Sequence, residues 1–145
     1  MRRLIVGLLI LAAWGGPARG ADYDPARAAA QIETILAALG DDRLQPANKV
    51  FRDVTISPTA SAERYLRIMD MAFSRSLGVD CAHCHDPADW ARDAKDKFAI
   101  TRAMWGMMYK INQDHLRKID GIDPKARVNC TTCHRGQTTP AVSLD

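Results

Sequence analysis

Along this chain apolar residues recur at the three-and-four spacing of amphipathic helices, in three blocks separated by turn residues. The first block opens at Asp24-Pro25, with Asp suited to the N-cap and Pro to the first helical position, and stops at Gly40. Its Ile32, Ile35, Leu36 and Leu39 form one stripe, read as core packing. A connection from Asp41 to Ser57 carries turn residues and a short piece, Val50 to Val54, predicted to be extended. The second block predicts a helix from about Pro58 to Leu77, closed by Gly78, with Tyr65, Leu66, Met69, Phe73 and Leu77 on one face. The third is expected to start after Asp86-Pro87 and to run to about Lys118, through Phe98, Thr101, Met104, Trp105, Met107, Met108, Ile111 and Leu116. Asp123-Pro124 opens a last turn, and the tail after Arg135-Gly136 reads as loosely ordered. Strand patterns are scarce, so the fold class is all-α, and the length fits one domain. No solenoid-length repeat, low-complexity tract or nucleotide-binding glycine loop interrupts it.

The N-terminus is a separate matter. Met1-Arg2-Arg3, the apolar run Leu4 to Trp14, and small residues at Ala18 and Gly20 read as a signal peptide over residues 1–20, cleaved before Ala21. The apolar run is too short to span a bilayer comfortably. Without cleavage, the same segment would act as an N-terminal anchor. Residues 1–20 hold three arginines and no acid, so the formal charge of +3 falls to about zero in the remaining 21–145. The basic character therefore belongs mostly to the leader and argues nothing for nucleic acid. Export leads to the periplasm, an oxidising compartment in which four cysteines would ordinarily form disulfides.

Those four cysteines all lie in two pentads, Cys81-Ala82-His83-Cys84-His85 and Cys130-Thr131-Thr132-Cys133-His134. Each reads Cys-x-x-Cys-His, the attachment signature of c-type haem. Two thiols a turn apart can each form a thioether with one vinyl group of the same porphyrin, and the next His is then held under the iron. A thioredoxin-like redox pair or half of a zinc site uses the same Cys-x-x-Cys spacing. Neither explains the following His, which occurs twice. The expected cofactors are two haem c groups on Cys81, Cys84, Cys130 and Cys133, with His85 and His134 as axial ligands.

Each pentad follows a helix that carries methionines. A low-spin haem needs a second axial ligand, and Met raises the potential relative to a second His. Met69 or Met71 could serve the first haem; Met104, Met107 or Met108 could serve the second. Methionine at helical spacing is also an ordinary core residue. His83, inside a pentad, reads as a linker residue, and His115 as a surface or propionate-contacting one. Arg102 and Arg135 are the best candidates for propionate contacts, beside the haem-bearing segments.

The stretch Tyr65-Leu66-Arg67-Ile68-Met69, continuing through Ser74-Arg75-Ser76-Leu77-Gly78-Val79-Asp80-Cys81, resembles the cytochrome c subunit of photosynthetic reaction centres. So do Asp89-Trp90 with Asp93, Thr101-Arg102-Ala103-Met104 to Ile111-Asn112, and Val128-Asn129-Cys130 to Gly136. The resemblance runs from about Val50 to Pro140 and is closer still to small dihaem proteins related to half of that subunit. It implies a small multihaem cytochrome with each haem packed against the helix preceding its pentad. Carried over by position, it implies Met69 as distal ligand of the first haem and Met107 of the second. It also implies electron transfer and not catalysis, with redox proteins or a membrane electron-transfer complex as partners; neither nucleic acid nor a small-molecule substrate is expected. The alternatives are a haem enzyme or a gas or peroxide sensor with one five-coordinate haem, and a subunit of a larger membrane redox complex.

Overall fold

The computed structural model describes residues 23–92 and 96–143. The expected leader, 1–20, lies outside the described residues. The described chain is all-α and contains no strand. Helix α1 spans Pro25–Leu39, and the side chain of Asp24 accepts from the backbone of Ala26 and Arg27. Gly40 ends it at φ 54°, and a 3-10 turn, Gly40–Leu44, follows. Leu36 and Ala28 are its buried residues.

The connection differs from its expected form. Val50 closes a short helix, α2 (Ala47–Val50), and the chain then bends, with Asp53 at φ 56° and Ser57 at φ 47°. No strand forms over residues 50–54: Val50 is taken into α2, Phe51 N–H closes that helix on Ala47 C=O at 2.8 Å, and a loop clasp joins the residues on either side. Ala47 N–H donates to Ala60 C=O at 2.7 Å and Ala62 N–H to Gln45 C=O at 2.8 Å. The same clasp occupies Pro58, whose carbonyl accepts from Asn48, so the second helix begins four residues later than expected, at Ala62. Its cap is Ser61, whose hydroxyl accepts from Arg64 N–H.

That second helix is continuous but not uniform. Helix α3 (Ala62–Ile68) passes into a π-helical stretch, Met69–Ser74, and then into α4 (Arg75–Leu77). Gly78 ends it in the left-handed region, φ 70°, and lets Val79 N–H return to Ser74 C=O. The stretch is tied to α1 by a small polar network. Asp70, only 9% exposed, accepts from the Tyr23 hydroxyl at 2.8 Å and from Arg75 Nε at 3.0 Å. Burial first, and the Asp70 carboxylate second, push the Tyr23 phenol up to about 12.

The third helix starts ten residues after the expected Asp86-Pro87, at Lys97. Asp86 and Asp89 instead make consecutive turns, accepting through side chain and carbonyl from the backbone of Ala88 to Arg92. Helix α5 spans Lys97–Lys110, followed by a second π-helical stretch, Ile111–His115, and a 3-10 turn, Leu116–Lys118, so the expected end holds. Helix α6 (Cys130–His134) is the second pentad itself.

The buried apolar residues described are few and mostly small: Ala28, Leu36, Ala47, Ile56, Ala62 and Val79. The larger apolar side chains, Tyr65, Met69, Phe73, Leu77 and Phe98 among them, line a cleft instead.

Candidate functional site: two cysteine-bearing clefts

The first pentad turns tightly. Asp80 caps a 3-10 turn, Cys81–His83, by accepting from His83 N–H at 3.1 Å, and His85 N–H donates to Cys81 C=O at 3.0 Å. Cys81, Cys84 and His85 thereby share one rim of a cleft of about 720 Å³, open mouth included. Met69 and Phe73 from residues 62–77, and Phe98, Thr101 and Arg102 from α5, line the rest with Asp53 and Asp80. Arg27 from α1 bridges Asp80 at 3.4 Å, and Gln31 accepts from the Cys81 thiol at 3.4 Å.

His85 is oriented. Its Nδ1 lies 2.6 Å from the carbonyl oxygen of Trp90. A carbonyl only accepts, so Nδ1 carries the proton and Nε2 keeps a lone pair for a metal. Phe98 meets the ring edge-on at 4.9 Å between centroids. This return to Trp90 is also why the chain turns at Asp86 where a helix was expected.

The second pentad is a single helical turn. Asn129 and Thr132 cap it reciprocally, and Arg135 and Gly136 leave it at φ 52° and 86°. His134 repeats the device of His85, with Nδ1 3.0 Å from the Gln137 carbonyl. The adjoining cleft, about 1160 Å³, takes in Cys130 and Thr131 together with Met71 and Ser76 of the second helix and Trp105, Met108 and Asn112 of the third. Cys133 is exposed, and neither it nor His134 is among the lining residues.

The methionines divide plainly. Met69 lines the first cleft, while Met71 and Met108 line the second. Met107, the expected second ligand, is 47% exposed and lines neither cleft, and Met104 is 37% exposed and also outside both. Among the arginines, Arg102 lines the first cleft; Arg117 and Arg127 line the second, and Arg135 does not. His83 and His115 line neither. Sequence reasoning gave no role to Ser76, Asn112 or Arg127.

The two other cysteine chemistries find less support. Among the described residues no three His, Cys, Asp or Glu side chains converge as a metal site, which one shared tetrahedral zinc would need. None of the four cysteines is joined in a disulfide. A redox pair activates its first cysteine by lowering its pKa. Here burial pushes Cys81 up, with Asp80 adding to it, and burial likewise pushes Cys130 up.

Helices set against two Cys-x-x-Cys-His turns, each beside a methionine-bearing wall, make this a small c-type cytochrome by motif and architecture. More narrowly, the chain belongs to the photosynthetic reaction centre cytochrome c subunit family, whose profile matches residues 15–143. It is 27% identical over 110 residues to the photosynthetic reaction center cytochrome c subunit of Thermochromatium tepidum, covering 75% of this chain and 26% of that one. Against the subunit of the same name from Roseobacter denitrificans (strain ATCC 33942 / OCh 114) it is 27% identical over 105 residues, covering 64% and 28%. The matched region thus spans about a quarter of these relatives' length. Membership implies haem c. The residues of the first cleft fit it: apolar walls, two thiols on one turn, and an imidazole whose Nδ1 is held by a carbonyl so that Nε2 carries the lone pair. No described helix is long and apolar enough to cross a membrane.

Proposed function

We propose that the chain is a periplasmic electron-transfer protein carrying two covalently attached c-type haems, each with His/Met axial ligation. The observation that carries this reading is the repeated pairing of a pentad cysteine with a methionine of the preceding helix across one cleft. In each pentad both thiols add across vinyl groups, sulfur bonding to one carbon and the thiol hydrogen passing to the other.

At the first site His85 Nε2 and Met69 would hold the iron, with Cys81 and Cys84 as tethers. At the second, Cys130 and Cys133 would be the tethers, and His134 and Met108 would hold the iron. Met108 is preferred to Met107 because it lines the cleft whereas Met107 lies outside it. Arg102 at the first site, and Arg117 and Arg127 at the second, supply guanidinium groups for the propionates.

Bound haem supplies a one-electron couple; the protein's part is to fill both axial positions and hold them still. Thioether and imidazole together leave no open coordination site for peroxide or gas, which favours a carrier over an enzyme or sensor. Phe73, lining the first cleft, lies 5.9 Å from Trp105, lining the second, so the two sites adjoin across one aromatic contact. The partners on this reading are redox proteins, a membrane electron-transfer complex included, as the relatives' names indicate for them.

Intact mass of the denatured protein from a host that attaches c-type haem is the test. Residues 21–145 plus two haems is expected, followed by a low-spin spectrum for both irons. A protein without haem, or with one five-coordinate high-spin iron, would overturn the reading.

A further inference from the structure

Asparagine is a poor helix former, yet Asn112 stands at the π-helical stretch that continues α5. Its carboxamide is spent on three contacts. Nδ2 donates to Met108 C=O at 3.0 Å and to Val128 C=O at 2.9 Å, and Oδ1 accepts from Val128 N–H at 2.9 Å. The orientation of the amide is settled by its partners, since a backbone N–H only donates and a carbonyl only accepts.

The geometry points to Asn112 as the positioning residue of the second haem site, an inference that rests on the function proposed above. The two bonds to Val128 copy an antiparallel ladder pair, and they hold a segment outside any regular element two residues before Cys130. The third bond grips the carbonyl of Met108, the residue on the opposite wall. One side chain therefore sets the distance between the tethering turn and the thioether ligand. Aspartate lacks the two donors, glutamine is a methylene too long, and leucine fills the space without any bond. Ser76 holds the other end of the same segment, bonding Thr131 Oγ1 at 2.6 Å and accepting from Gly136 N–H at 2.8 Å, but it does not touch Met108's turn.

Asn112→Leu in the haem-loaded protein tests this. The expected result is a mass still carrying both haems, loss of one of the two ferric charge-transfer signatures of thioether ligation, and a lower potential for one haem only. Retention of both signatures, or loss of both together, would overturn the positioning role. If the variant does not accumulate, hydrogen exchange of the wild-type protein decides: Val128 N–H should exchange as slowly as the interior amides of α5. Exchange at the rate of an open loop overturns the clasp. A wild-type protein with no second haem sinks the proposed function instead, and Val128 exchange still reads the clasp separately.

Discussion

At the scale of single residues, a step of one position along a helix decides chemistry. Neighbouring residues point about 100° apart: Met108 lines the second cleft and Met107 lines neither, and position counting alone does not choose between them. The pentads were legible because their spacing is itself the motif; which methionine lines a cleft was not, because that depends on helix rotation. Met108→Ala is expected to abolish one thioether signature and lower that haem's potential, while Met107→Ala leaves both spectra unchanged. Voltammetry with ferric absorption spectra separates the two outcomes. Met69→Ala should do for the first haem what Met108→Ala does for the second.

Tyr23 makes a different prediction at the same scale. Its phenol keeps its proton in the folded chain up to about 12, above its ordinary value of 10.0, through burial and then Asp70. The raised pKa gives stability that is present below the unfolded value and lost as pH climbs through the folded one. Wild-type stability should therefore fall between about pH 10 and 12, and Tyr23→Phe should flatten that decline. Denaturant midpoints measured across this range check it; equal slopes in both proteins would contradict the network.

Among elements, caps were the readable part. Asp24 and Gly40 bracket α1, and Gly78 ends the second helix, because side-chain acceptors and left-handed glycine act locally. Helix starts that compete with tertiary bonds were not readable. Asp86-Pro87 is a good helix opening by composition, but His85 draws the Trp90 carbonyl back and commits Asp86 and Asp89 to turns. Pro58 is likewise taken by the loop clasp and the helix waits for Ser61. Gly78→Ala would force a Cβ into the left-handed region at φ 70°, costing about 1–2 kcal/mol. Ser61→Ala removes a cap and should cost about 1 kcal/mol. Chemical denaturation of the two haem-loaded variants measures both.

For the molecule as a whole, the α1 stripe read as core keeps Leu36 buried, whereas the apolar face of the second helix lines the first cleft through Tyr65, Met69, Phe73 and Leu77. With Ala28, Leu36, Ala47, Ile56, Ala62 and Val79 as its buried apolar set, the described chain has little interior of its own. Large rings seated in the clefts would supply the missing apolar contact. The chain with all four cysteines changed to alanine is therefore expected to lose cooperative thermal unfolding and much of its helical circular dichroism. A sharp transition at the haem-loaded protein's temperature would contradict that.

Residues 62–77 present Met69 and Phe73 to one cleft and Met71 and Ser76 to the other, and α5 with its continuation divides its residues in the same way. Neither site has a wall to itself. Heating should therefore melt both centres in one event, with no surviving half. On the two-haem reading proposed above, a copy that loads one ring leaves the shared helices half-supported and should unfold at a lower temperature than one that loads both.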